Sequence, residues 1–151
     1  MKSDVRSLYQ EIILDHNKSP RNFRAMEDAT RVVDGYNPLC GDHYTVYLKM
    51  NDERIEDISF TGSGCAISKA SASVMSSMIK GKTKTEAAAL FTTFHDLVTG
   101  TVELDGKIEE LGRLAAFAGV SEFPARVKCA SLAWHTMKGA LESTSTTVST
   151  E

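Results

Sequence analysis

Tyr44, Val46, Leu48 and Met50 alternate with His43, Thr45, Tyr47 and Lys49. That two-residue period predicts a strand with one buried face. Asn51-Asp52-Glu53 turns the chain, and Arg54 to Phe60 returns as the second arm of an antiparallel hairpin. Ile58 and Phe60 share a face while Ile55 is out of phase, which predicts a bulge near Glu56-Asp57. A shorter strand is predicted over Arg31 to Tyr36. Elsewhere the apolar period lengthens to three and four. Val5, Leu8 and Ile12 mark a first helix, capped by Ser3 or Asp4 and ended before Pro20. A second begins near Cys65, carries Ile67, Ala70, Val74, Met75 and Met78, and stops at Gly81. Thr83 and Glu86 form a capping box for a third, with Ala87, Leu90, Phe91 and Phe94 on one stripe. Ile108, Leu111, Leu114 and Ala118 make a further stripe, ended by Gly119. Pro124 suits the first position of a last helix bearing Val127, Ala130, Trp134, Met137 and Leu141.

Strands and helices are segregated along the chain, which predicts the α+β class and excludes a doubly wound sheet. The 151 residues suit one domain. Residues 1–142 are assigned to it, and the Ser/Thr-rich segment 143–151 to a disordered tail. The 17 Lys and Arg against 20 Asp and Glu give a net charge of −3, which argues against nucleic acid as a partner. No apolar run approaches a membrane span and no signal-peptide core follows Met1, so the expected location is cytoplasmic with no membrane contact.

Three cysteines at wide spacing are a poor disulfide framework. Each lies beside a structural break. Cys40 follows Pro38 and precedes Gly41, Cys65 follows Gly62-Ser63-Gly64, and Cys129 sits one turn into the Pro124 helix. Cys65 at a helix start faces free backbone N–H groups, which favour a thiolate. Arg126 and Lys128 do the same for Cys129. Asp42, two residues from Cys40 with Gly41 between, can reach the same ion as Cys40. Three sulfurs and one oxygen make a tetrahedral set suited to Zn²⁺, whose excess negative charge Arg126 and Lys128 partly offset. Spacing alone leaves open that the cysteines are ordinary packing groups.

The segments Asn37-Pro38-Leu39-Cys40-Gly41-Asp42, Phe60-Thr61-Gly62-Ser63-Gly64-Cys65-Ala66 and Arg126-Val127-Lys128-Cys129-Ala130 resemble the iron–sulfur cluster assembly proteins of the IscU, SufU and NifU N-terminal family. The likeness spans nearly the whole chain except the tail and is nearest to the SufU type. Lys128 stands where the cluster-scaffold branch carries His, and there is an extra stretch around Val102 to Val120. The resemblance implies a small three-stranded antiparallel sheet with helices packed on it. It implies Zn²⁺ held by Cys40, Asp42, Cys65 and Cys129. The partner it implies is a PLP-dependent cysteine desulfurase of the SufS kind, followed by the downstream iron–sulfur assembly machinery.

The expected function is therefore zinc-dependent sulfur transfer. Cys40, on a loop and not on a helix, is the expected persulfide acceptor, and a stand-alone catalytic activity is not implied. The alternative is a scaffold that carries a transient [2Fe–2S] cluster. A purely structural zinc module is disfavoured by the Asp ligand. His43, next to Asp42, is a candidate to support the metal from outside the ligand set. His16, His95 and His135 are expected to be capping, packing or exposed groups. The serines of the Cys65 helix are expected to permit close packing.

Overall fold

The computed structural model describes residues 2–38, 41–100, 112–142 and 147–149. Helix α1 (Lys2–Lys18) leads into strands β1 (Arg31–Asn37), β2 (Asp42–Asn51) and β3 (Arg54–Ser63). Beyond them lie helices α2 (Ala66–Ile79) and α3 (Lys84–Thr99), a 3₁₀ helix (Gly112–Glu122), α4 (Pro124–Glu142) and a short strand β4 (Thr147–Ser149). The α+β expectation holds. Helix α1 already includes Ser3 and Asp4, so neither caps it.

The three expected strands pair antiparallel, with the whole sheet in the order β3-β2-β1-β4. Lys49 opposes Asp57 and Met50 opposes Ile55, so Glu56 is the extra residue of a bulge. The bulge returns Ile55 to the buried face, where it meets Ile58 and Phe60 in the core. The fourth strand departs from the expectation of a disordered tail: Thr147–Ser149 lies parallel to β1 against Asp34–Tyr36. The outer edge of β1 offers unpaired N–H and C=O groups, and a Thr-Val-Ser segment has side chains suited to an extended partner.

Buried positions on β2 alternate strictly from Asp42 to Leu48, so one sheet face carries the core. Helix α4 lies against that face. A Cβ on Gly35 of β1 would collide with the Thr136 hydroxyl of α4, so only glycine allows this approach. Helix α2 runs between α1 and α4, and its serines permit that, as expected. Ser71 donates to the Ala130 carbonyl of α4. The Ser73 hydroxyl meets His16 Nδ1 at 2.7 Å and accepts from the Arg21 amide. Phe94 stacks on Trp134 at 4.6 Å and meets Phe117 edge-on, tying α3, α4 and the 3₁₀ helix together.

Ile108 and Leu111 of the expected fourth stripe lie outside the described residues. The rest of that stripe is a 3₁₀ helix that passes through Gly119 to Glu122. Its period of three matches the buried Leu114, Phe117 and Val120, which an α-helix would fan around its axis. No helix among the described residues is long and apolar enough to cross a membrane.

Candidate metal centre

Asp42, Cys65 and Cys129 come from three elements that meet at one end of the sheet. Asp42 is the first residue of β2 and is buried because it shares the inward face with Tyr44 and Val46. Cys65 is the N-cap of α2: its backbone is extended and its sulfur accepts from the Ser68 amide at 3.4 Å. Cys129 is buried on α4, in the second turn after Pro124. One donor atom from each lies within 4.8 Å of the other two. One ion with bonds of roughly 2.0–2.3 Å can bridge such a set after small side-chain adjustments. Two soft sulfurs with one oxygen fit Zn²⁺ and do not fit the all-oxygen preference of Mg²⁺ or Ca²⁺. Cys40, the fourth expected ligand, lies outside the described residues. The strand residues on either side of its loop, Asn37 and Asp42, are paired with each other.

Asp42 is anchored through both oxygens. Oδ1 accepts from the Cys65 amide at 3.0 Å, and Oδ2 accepts from Asn37 Nδ2 at 3.4 Å. The first bond ties the carboxylate at the start of β2 to the start of α2. Gly64 makes room for this. A Cβ there would lie 2.6 Å from Asp42 Oδ1 and 2.7 Å from the Tyr44 hydroxyl, and would collide with the Ser68 hydroxyl. Ser68 spends its one proton on the Cys65 carbonyl, so the Tyr44 hydroxyl, 2.9 Å away, donates to Ser68. Burial, reinforced by the negative charge at Asp42 and the two sulfurs, pushes the Tyr44 phenol well above its ordinary pKa, so it stays a donor.

Arg126 lies near the sulfurs of Cys65 and Cys129. The negative charge of those sulfurs, Cys65 first, raises the pKa of its exposed guanidinium above the ordinary value. Lys128 has no hydrogen bond or ion pair to the site among the described residues. Arg126 precedes Cys129 by three positions and shares its helix face, whereas an adjacent residue is turned about 100° away. His43 also falls away from the site. The strand period of two puts it on the face opposite Asp42, stacked on Tyr36 at 4.3 Å and 3.6 Å from Asp34. The expected supporting role for His43 at the metal is therefore corrected: it faces away from Asp42.

Asn37 was missed as a functional candidate. It closes β1, is 1% exposed, and its amide lies between Asp42 and Cys129, with Nδ2 3.5 Å from Cys129 Sγ. The only signal in the sequence was its place at the head of the Asn37–Asp42 segment.

Residues 8–130 match the model of the NifU-like N-terminal domain. The chain belongs to that family. The zinc-dependent sulfurtransferase SufU of Bacillus subtilis is 43% identical over 136 residues, covering 90% of each chain. The iron–sulfur cluster assembly scaffold protein IscU of Streptococcus pyogenes is 40% identical, covering 93% of this chain and 86% of that protein. Among solved structures, an assembly scaffold protein for the SUF system from Fervidobacterium islandicum superposes with a TM-score of 0.80 at 37% identity, covering 87% of this chain and 94% of that one. The expected kinship and fold are thus both met.

Proposed function

We propose that this protein serves iron–sulfur cluster assembly as a zinc-dependent sulfur acceptor, taking sulfane sulfur from a PLP-dependent cysteine desulfurase. The observation that carries the reading is the convergence of Asp42, Cys65 and Cys129 on one ion-sized spot, with Asp42 two residues after Cys40 in the chain. The ligand set is Cys40, Asp42, Cys65 and Cys129. When bound, Zn²⁺ keeps the cysteines deprotonated and ready to react at neutral pH.

The protein's own residues do the rest. Asp42 accepts from the Cys65 amide, Cys65 Sγ from the Ser68 amide and Cys129 Sγ from Asn37 Nδ2, so the three keep their places. Cys40, between Asn37 and Asp42 in the chain, is the thiolate that reacts. Its sulfur attacks the outer sulfur of the partner's persulfide. The new S–S bond forms as the partner's S–S bond breaks, and the electron pair leaves with the partner's cysteine as a thiolate. The exchange is redox-neutral and leaves a persulfide on Cys40 for the next acceptor. Arg126, near the Cys65 and Cys129 sulfurs, supplies the positive charge that attracts that anion.

A second reading, a scaffold carrying a labile [2Fe–2S] cluster, draws on the IscU relatives and on the mixed sulfur–oxygen set. Incubation with a desulfurase and cysteine, with peptide mass mapping afterwards, separates the two. One extra sulfur on Cys40 and about one Zn²⁺ per chain support sulfur transfer. Modification confined to Cys65 or Cys129, or a brown iron chromophore formed equally well by Cys40→Ala, defeats it.

A further inference from the structure

We propose that Asn37 is a positioning residue of this centre, holding Asp42 and Cys129 as ligands while Cys40 is away receiving sulfur. The proposal rests on the sulfur-transfer reading and names the group that keeps the metal in place during that step. Asn37 Nδ2 has two hydrogens and two anionic neighbours, Asp42 Oδ2 at 3.4 Å and Cys129 Sγ at 3.5 Å. These ligands come from β2 and α4, and no backbone hydrogen bond need link them. The amide is the cross-brace, and it stands on β1, outside the loop that carries Cys40.

The amide is poorly explained as a packing group. Its Oδ1 is buried with no hydrogen-bond partner among the described residues. Burying an acceptor without a donor is destabilising, and an apolar side chain of the same shape would avoid that cost. A residue kept there despite that cost is explained by what its N–H groups do. An N–H bond to a thiolate withdraws charge from the sulfur, and one to a carboxylate fixes which lone pair faces the metal. With the Cys65 amide on Oδ1, both Asp42 oxygens are oriented by donors that do not depend on Cys40.

The test uses Asn37→Leu, nearly isosteric but without a donor, in the otherwise native chain and in a Cys40→Ala background. Zn²⁺ affinity is read by chelator competition. The sulfur-to-metal charge-transfer band is read after Co²⁺ substitution. The expected result is about a tenfold or greater loss of Zn²⁺ affinity in the Cys40→Ala background, a smaller loss when Cys40 is present, and a shift of the Co²⁺ band to longer wavelength as the thiolate becomes more electron-rich. Equal affinity and an unmoved band overturn the proposal, as does a Cys40→Ala protein that holds no metal even with Asn37 intact. If Asn37→Leu does not fold, by far-ultraviolet circular dichroism, Asn37→Ala is judged on the same two readouts. A native chain that binds neither Zn²⁺ nor Co²⁺ instead overturns the underlying metal reading.

Discussion

Gly64→Ala tests whether the site is built around the Asp42 carboxylate. The backbone of Gly64 is not left-handed, so the change brings no strain of that kind; what it removes is space. The new methyl would start 2.6 Å from Asp42 Oδ1, against the 3.4 Å at which ordinary contact begins. The Tyr44 ring is fully buried and cannot retreat, and Ser68 is committed to the Cys65 carbonyl. Asp42 therefore gives way by most of an ångström, and its 3.0 Å bond from the Cys65 amide is lost. A hydrogen bond to a charged group contributes about 1.5–3 kcal/mol. For a domain of this size that lowers Tm by roughly 4–10 °C. Zn²⁺ affinity should fall about 10- to 100-fold, since a ligand has lost its orienting partner. Chelator competition and thermal unfolding, each with and without Zn²⁺, measure the two effects. Gly81→Ala is the control: its φ of +84° costs an alanine about 1–2 kcal/mol, but nothing lies within 4 Å of its Cβ. It should lower Tm and leave Zn²⁺ affinity alone. Gly64→Ala with native Zn²⁺ affinity would refute the reasoning, because the carboxylate would then not need the position described.

Cys129→Ser should abolish stoichiometric Zn²⁺ and the metal-dependent part of Tm, while Cys40→Ala keeps the metal at reduced affinity; inductively coupled plasma analysis of the purified variants decides this. Asp42→Ala should retain weakened metal binding but disturb sulfur transfer, and unchanged affinity together with unchanged desulfurase stimulation would remove Asp42 from the ligand set. Arg126→Ala removes a cation near both sulfurs, so sulfur acceptance from a desulfurase should slow and lose part of its dependence on ionic strength, and an unchanged rate and salt dependence would refute an electrostatic role. Burial first, then His95 and Lys138, hold the His135 pKa below its ordinary value of 6.5. The unfolded chain therefore takes up the proton first, and the stability tied to neutral His135 is lost as pH falls below about 6.5. In chelator, the urea midpoint of His135→Gln should drop less between pH 7.5 and pH 5.5 than that of the parent, and equal drops would refute this.

Much of the fold is local in origin and was therefore legible. The β2 alternation, the Thr83–Glu86 capping box and Pro124 at the head of α4 each act within a few residues, and the structure carries all three. The bulge could be read because Ile55, Ile58 and Phe60 had to share one face and could do so only with an extra residue at Glu56. The α2 serines were legible as spacers, since side chains that small leave room for a helix on either side. The 3₁₀ form of residues 112–122 was not legible, because a spacing of three fits both helix types and packing against α3 and α4 chooses between them. Nor was β4, whose pairing depends on where the open edge of β1 lies.

The site divides in the same way. The residue types and their punctuated contexts marked Cys65, Cys129 and Asp42 as metal-binding candidates beside Cys40, because glycine turns and helix starts are local chemistry. That β2, α2 and α4 bring Asp42, Cys65 and Cys129 together is a result of tertiary packing over separations of 23 to 87 residues, which no local spacing encodes. The same packing turned His43 to the far face, left Lys128 off the sulfur side of α4, and put the Asn37 amide between two ligands. The sequence by itself determined which donors the protein owns; the meeting of one sheet end with two helices decided that Asp42, Cys65 and Cys129 come together, because only there do side chains so distant along the chain fall within reach of one point.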